Sequence, residues 1–438
     1  LSRAAACKQA LRDMTPAPNA AADTRVLFAA RLLRMFAYGM LGVVLVLFLG
    51  RLGFDGAKIG LLLSLTLLGD VAISLWLTAH ADRWGRRKTL IVGAVLMALG
   101  GAGMAASENF FVLLVAATVG VISPTGGEVG PFQAVEQACL AQEVTAENRT
   151  RLFAWYNLAG YLASALGALA VGWFLGAARP DGPAAEGAAA YRAVFWAYAA
   201  CGLALGALAW RLSPGVEAPA AKAPVVAVRA TATAAVAVGA GAAPTFLGLG
   251  ASRGLVLRLS ALFALDSFGG GFVLQSFLAW WLQQKFGADA AVLGAVFFGT
   301  NLLSGLAAVP LAKKIGLINT MVWTHLPSNV LLMLVPLMPT LPLAIALLLA
   351  RHLLSQMDVP TRASYLSAII PAAERAAANG ATSTAKQLGT ALGPLLAGKL
   401  FGAAAATGLP FFICGVLKST YDLLLWRAFR SIKPPEER

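Results

Sequence analysis

Apolar residues in this chain follow neither the 3.6 period of a half-buried helix nor the alternation of a half-buried strand. They come in long, nearly unbroken blocks set apart by short polar stretches. A helix rises 1.5 Å per residue, so about 20 residues cross the hydrocarbon core of a bilayer. Twelve blocks of that order occupy 29–50, 58–80, 89–107, 110–138, 151–177, 191–212, 255–284, 290–312, 317–337, 341–369, 376–401 and 407–428. Backbone groups in lipid must bond within their own segment, and barrel strands would alternate, so the blocks predict twelve transmembrane helices.

Composition agrees: 59% of the 438 residues are hydrophobic, 12% are charged and the mean hydropathy is +0.74, against about a quarter charged in a soluble domain. A net charge of +14 raises nucleic acid as a partner, and the position of the cations argues against it. The two tails and the even-numbered loops hold 25 of the 34 Lys and Arg, the opposite loops hold five, and four lie inside spans. Such a split is the imprint of topology and predicts that both termini are cytosolic. The plasma membrane is the expected location, with an organelle membrane as the alternative. The four cysteines have no metal-binding spacing and the three histidines are scattered, so no cofactor, metal or disulfide framework is expected. Asn148-Arg149-Thr150 fits the glycosylation pattern but falls on the predicted cytosolic face.

The chain divides into a cytosolic N-terminal segment (1–28), six spans (29–212), a linker rich in Ala, Gly, Pro and Val (213–254), six further spans (255–428) and a cytosolic tail (429–438). The halves echo one another. "ADRWGRRKT" at 81–89 and "AKKIGLINT" at 312–320 each follow the second span of their half, and Pro131 and Pro360 sit at matching places. Arg149 precedes Gly167 and Gly172 by the same intervals at which Arg375 precedes Gly393 and Gly398. Duplicated halves of this kind commonly carry substrate between them.

The loop "ADRWGRRK" resembles the G-x-x-x-D-R/K-x-G-R-R/K motif of the major facilitator superfamily, matching at Asp82, Arg83, Gly85, Arg86 and Arg87 and departing at the leading glycine, where Thr78 stands. The resemblance covers essentially the whole chain and implies an all-α membrane protein of two pseudo-symmetric six-helix bundles. It further implies that these five residues are a conformational latch, with Asp82 capping a helix of the other half and pairing with an arginine in the outward-open state. "GTALGPLLAG" at 389–398 resembles the G-x-x-x-G-P-x-x-G pattern of drug–proton antiporters. It sits in the eleventh span rather than the fifth, however, and the fourth span has no Lys or Arg between Leu113 and Leu140.

Ionisable groups deep in a span are functional candidates, because lipid makes them costly. Asp70, Glu128 and Asp266 are the candidate proton carriers, with His352 as a further one. Glu128 and Asp266 stand out because neither has a cation within one turn of its own helix. Lys418 with Asp422, and Asp358 with Arg362, have the spacing of i,i+4 pairs, and Glu136 belongs to the latch region. Pro124, Gly126, Gly127, Gly130 and Pro131 break the fourth span, as expected only beside a cavity. Tyr38, Gln133, Gln275, Arg351, Asp358 and Lys386 are the candidate cavity residues, with an anionic substrate group as one partner for Arg351 and Lys386. No phosphate-binding Gly-Lys-Ser/Thr loop or nucleophile arrangement is present, so the reading is a non-enzymatic secondary transporter. Its expected partners are a small organic solute, protons and the lipid bilayer, and it is expected to be a monomer that works by alternating access, with efflux as one direction. An ion-independent facilitator, or a membrane scaffold with a stable protein partner, is the alternative.

Overall fold

The computed structural model describes residues 19–143, 146–178, 184–217, 250, 252–306, 316–355, 358–371, 374–404 and 408–432. The chain before 19 and after 432, most of the 213–254 linker and the 307–315 loop, including most of the second echo of the latch motif, lie outside them. The first three spans are α1 (Ala20–Arg51), α2 (Gly56–Trp84) and α3 (Arg86–Ala106). The fourth consists of α4 (Phe110–Val119) and α5 (Phe132–Glu143), and the fifth and sixth are α6 (Ala146–Ala178) and α7 (Ala184–Trp210). In the second half, α8 (Arg253–Gly271) and α9 (Gln275–Phe286) form the seventh span, followed by α10 (Ala290–Leu306) and α11 (Leu317–Leu334). The tenth span is α12 (Leu341–Ser355) and α13 (Asp358–Ile369), and α14 (Arg375–Ala404) and α15 (Leu409–Phe429) complete the set.

Eight stretches among the described residues are long and apolar enough to cross a bilayer by themselves, the joined α8–α9 segment among them. The other four spans differ for local reasons. The fourth and tenth are each built from two shorter helices, the eighth is 17 residues long where its description ends, and the eleventh is a 30-residue helix rich in small and polar residues. The surface is apolar, with Leu99, Phe111, Trp173 and Leu203 largely exposed, as lipid-facing residues are. α1 begins nine residues earlier than its apolar block. It is the most enclosed of the eight spans, 83% buried over its apolar window.

Within each half the central packing runs through glycine, and the two halves do it alike. A Cβ on Gly271 would sit 2.5 Å from the Thr390 carbonyl oxygen, and Gly39 is equally closed off by the Ser164 carbonyl. Gly167 lies against the Phe36 carbonyl and Gly393 against that of Phe268. A shift of 232 positions carries Gly39 onto Gly271 and Phe36 onto Phe268, so α1–α6 and α8–α14 are the same contact built twice.

The halves meet by a second duplicated contact. A Cβ on Gly398 would lie 2.7 Å from the Gly60 Cα, and a Cβ on Gly294 would lie 2.8 Å from the Gly172 Cα. α2 therefore packs on α14, and α10 on α6, backbone against backbone. Gly56, Gly60 and Gly294 stand at the starts of helices that enter from the face opposite the described chain ends, so these contacts close that face. The glycine intervals noted in the sequence thus have two uses: Gly167 and Gly393 pack each half together, and Gly172 and Gly398 join the halves.

Gly398→Val places two methyl groups against the Gly56 and Gly60 backbones. The expected cost is about 1–3 kcal/mol in the closed arrangement, read as a lower melting temperature in detergent, with spin labels on the loops at 51–55 and 287–289 moving apart. Unchanged label distances would remove the sealing role of this contact.

Candidate functional site

The fourth span is a chain break in the membrane, and its backbone finds partners on five other spans. Between α4 and α5, Val121 has a φ of 52° and Gly126 and Gly130 have φ of 66° and 81°. A positive φ is ordinary for glycine and strained for a β-branched valine. Tyr198 Oη donates to the Val121 carbonyl (2.7 Å) and Tyr38 Oη to that of Val129 (3.2 Å). Ser164 Oγ donates to the Gly126 carbonyl (2.8 Å), and the Gly130 N–H donates to Asp70 Oδ1 (2.6 Å). The Pro124 carbonyl accepts from both the N–H and the Oγ of Ser276, at 3.3 and 2.5 Å. That last contact crosses from one half to the other.

Beside this break lies an ionic core in each half. In the first, Arg34 is fully buried and holds Glu136 through two nitrogens, at 2.5 and 2.8 Å, and Glu128 through Nε at 3.0 Å. Arg31 also pairs with Glu128, and Tyr156 Oη donates to Glu136. The guanidinium groups lie over aromatic faces, Arg31 at 4.5 Å from the Tyr156 centroid and Arg34 at 4.6 Å from that of Phe132. In the second half, Asp266 accepts from Lys418 Nζ (2.7 Å) and from both terminal nitrogens of Arg362 (3.2 Å each). His325 Nδ1 bonds Asp422 at 2.9 Å, and Asn329 Nδ2 donates to the same carboxylate at 2.9 Å. The 232-position shift that matches the glycines carries Arg34 onto Asp266. The two cores are pseudo-symmetric in place and opposite in sign.

Two cavities lie between the halves. The first, of about 400 Å³, has Asp266, Gln275, Asn301, Arg351, His352 and Lys418 in its wall. The second, of about 410 Å³, has Asp70, Ser74, Glu128, Gln133 and Gln387. Thr125 and Thr390 border both, so they adjoin across the break.

The candidates divide accordingly. Gln275, Arg351 and Asp266 come together in the first cavity, and Asp70, Glu128 and Gln133 in the second. Tyr38 is fully buried against the fourth span and is not among the wall residues of either cavity. Lys386 is half-buried, has an interaction of its own and also lies outside both walls. The Asp358 side chain lies outside the described residues. Glu128 and Asp266, which have no cation on their own helices, each take two from other helices. Lys418 and Asp422 do not pair with each other: Lys418 turns to Asp266 and Asp422 to His325.

In the latch loop Asp82 is largely exposed and accepts from Arg86 Nε at 2.8 Å, one turn on. Gly85 has a φ of 106° at the turn. The N-terminus of α3 is capped by Glu217, which accepts from the Arg86 N–H at 2.6 Å and the Arg87 N–H at 3.3 Å. A carboxylate at a helix N-terminus is favourable, and here the residue filling that place comes from the same half. Arg87 is further held by the Trp210 carbonyl, and Arg83 is exposed.

The sequence reading missed Arg31 and Arg34, which it counted among orientation charges. Their spacing of three, on one face of what proves to be a longer first helix, was the available signal. Arg362 is likewise buried rather than a loop cation, which lowers the count of cations on that face from 25 to 22 without changing its sign.

The model of the Major Facilitator Superfamily matches residues 27–271 and 259–438. An uncharacterised membrane protein of Saccharomyces cerevisiae, YJR124C, is 31% identical over 420 residues, covering 93% of this chain and 94% of its own. Among solved structures, a bacterial homologue of the human lysosomal transporter Spinster, inward-facing and unoccupied, superposes with a TM-score of 0.72 at 16% identity, covering 95% of this chain and 99% of that one. The D-xylose–proton symporter gives 0.70 at 16% identity, covering 94% and 98%. With twelve spans in two duplicated halves around a polar cavity, this chain belongs to the major facilitator superfamily and is a multi-pass membrane protein of the secondary-transporter fold, not an enzyme.

Proposed function

We propose that the protein moves a small organic solute by alternating access, coupled to protons through Asp70. The observation that carries this is the place of Asp70. It is a carboxylate in the wall of the second cavity, with no cation partner among the described residues, and it accepts the Gly130 N–H of the broken span at 2.6 Å and Ser74 Oγ at 3.2 Å. A hydrogen bond to an ionised acceptor is about twice as strong as one between neutral groups. Protonating Asp70 therefore weakens one of the contacts that hold the fourth span in this conformation. Glu128 and Asp266 suit proton carriage less well, because each is held by two cations.

Both termini are assigned to the cytosol, from the surplus of Lys and Arg on that face, and the plasma membrane is the membrane in which the protein works. On that assignment the conformation described is inward-facing, since the glycine contacts close the far side. The pairing of Asp82 with Arg86 fits this state: the latch is open, and its carboxylate is free to engage the other half when the cavity turns outward. Direction follows the gradient, and efflux by exchange for entering protons is the mode assigned to the cell.

In proteoliposomes with an imposed pH gradient, Asp70→Asn is expected to keep equilibrium exchange of the solute and to lose its accumulation against a gradient. Wild-type protein that equilibrates solutes without accumulating any would make it an ion-independent facilitator. For the latch, Asp82→Asn is expected to leave the melting temperature of the inward state unchanged. Spin-label distances across the cytosolic face should move toward the inward-open population, and turnover should fall by about tenfold, one exposed charge-assisted contact being lost in only one state. Unaltered populations would leave Asp82 a local partner of Arg86 and nothing more.

A further inference from the structure

Buried hydrogen-bond donors in native proteins almost always have partners, and those that lack one call for an explanation. The first cavity has three in its wall. Arg351 Nε, Gln275 Nε2 and Asn301 Nδ2 are each buried with no hydrogen-bond partner among the described residues. They come from the tenth, seventh and eighth spans, so three separate helices of the second half bring donors to one space.

The charges around them have a definite sum. Asp266, Lys418 and Arg351 are the acidic and basic residues in the wall. Both oxygens of Asp266 are already taken, Oδ1 by Lys418 at 2.7 Å and Oδ2 by Arg362 at 3.2 Å. No carboxylate among the described residues lies within ion-pairing distance of Arg351, and the Ser328 hydroxyl that reaches it bonds its backbone carbonyl, not its guanidinium. The wall therefore presents one uncompensated positive charge and no acid free to receive a cation. Around it, Phe297, Leu332 and Leu348 supply apolar surface, and a volume of about 400 Å³ lies within the range of small-molecule sites.

We infer that the first cavity is the substrate site and that it takes a small amphipathic monocarboxylate, its carboxylate on Arg351 with the amides of Gln275 and Asn301 as further donors and its hydrocarbon part against Phe297, Leu332 and Leu348. This rests on the transport reading above and adds the substrate class. The guanidinium is planar and offers a fork that fits a carboxylate. An amine finds no acceptor charge here, and a neutral polyol leaves the positive charge buried and unpaired, which is costly.

The test uses the full-length protein in lipid nanodiscs, with thermal shift and calorimetry as readouts. The probes are benzoate and hexanoate, their uncharged counterparts benzamide and hexanol, and benzylamine. The carboxylates are expected to stabilise the protein where the amide, the alcohol and the amine do not. Arg351→Gln is expected to weaken carboxylate binding by about ten- to a hundredfold, and Arg351→Lys by less, since it keeps the charge and loses the fork. Asn301→Leu is expected to weaken it by a smaller factor and serves if the arginine variants do not fold. Equal stabilisation by benzamide or benzylamine, no stabilisation by either carboxylate, or wild-type affinity in Arg351→Gln overturns the inference. Asp70→Asn separates the two readings: carboxylate binding that persists while wild-type protein shows no proton-driven flux removes the coupling and keeps the site. Proton-driven flux of an amine removes the site and keeps the coupling.

Discussion

A backbone polar group in the bilayer interior has no water to bond, and the unwound stretch of the fourth span is where this chain meets that constraint most severely. Twelve residues between α4 and α5 cannot bond as a helix does. Their carbonyls and N–H groups are met by Tyr38, Asp70, Ser164, Tyr198 and Ser276. Those five residues come from the first, second, fifth, sixth and seventh spans. An orphaned group there costs several kcal/mol, so the break fixes the register of its neighbours as firmly as apolar packing does. It also explains why a carboxylate such as Asp70 is tolerated at that depth, since it satisfies a main-chain donor that the helix has given up.

The ionic cores follow a related logic. Burying a charge in lipid is tolerable only when its partners come with it, and each half solves this with a cluster that joins its own spans. Arg34 links the first span to the fourth and, through Tyr156, to the fifth; Asp266 links the seventh to the tenth and twelfth. Because the two are related by the same shift that relates the glycine contacts, duplication fixed their location while the residues reversed sign. The reversal has a consequence for the cavity between them. The acid of the first core, Glu128, is only partly covered and stands in the wall of the second cavity, whereas the acid of the other core is neutralised from two sides. One cavity is consequently acidic and the other carries a net positive charge.

The number of spans, the duplication and the break in the fourth span were legible in the residues, because each depends on composition or on local backbone chemistry. Blocks of about 20 apolar residues, Gly and Pro clusters, and repeated glycine intervals survive without knowledge of contacts. What the sequence did not disclose was who pairs with whom. An i,i+4 rule matched Lys418 to Asp422, while in three dimensions the seventh span supplies the better partner at 2.7 Å. Arg31 and Arg34 looked like loop cations since the apolar block begins near them, yet α1 continues to Ala20 and carries both arginines inside. Ion pairs in a membrane bundle are made between helices, and a linear reading sees only the separation along one.

The contacts also differ in what a rocking motion would ask of them. The ionic cores and the α1–α6 and α8–α14 glycine contacts lie within single halves, and rigid-body movement leaves them intact. The Gly60–Gly398 and Gly172–Gly294 contacts and the Ser276–Pro124 hydrogen bonds join the halves, so they must open when the far face does. Glycine contacts suit that duty. They hold by close approach of small surfaces rather than by interlocked side chains, so they separate without repacking a core. The Ser276 bonds are different, because parting them strips the Pro124 carbonyl of both its donors beside the cavity. Opening the far face therefore requires that the carbonyl be solvated from the cavity or bonded by what the cavity holds. Solvent and cargo thereby enter the energetics of the transition at the point where the broken fourth span touches the seventh.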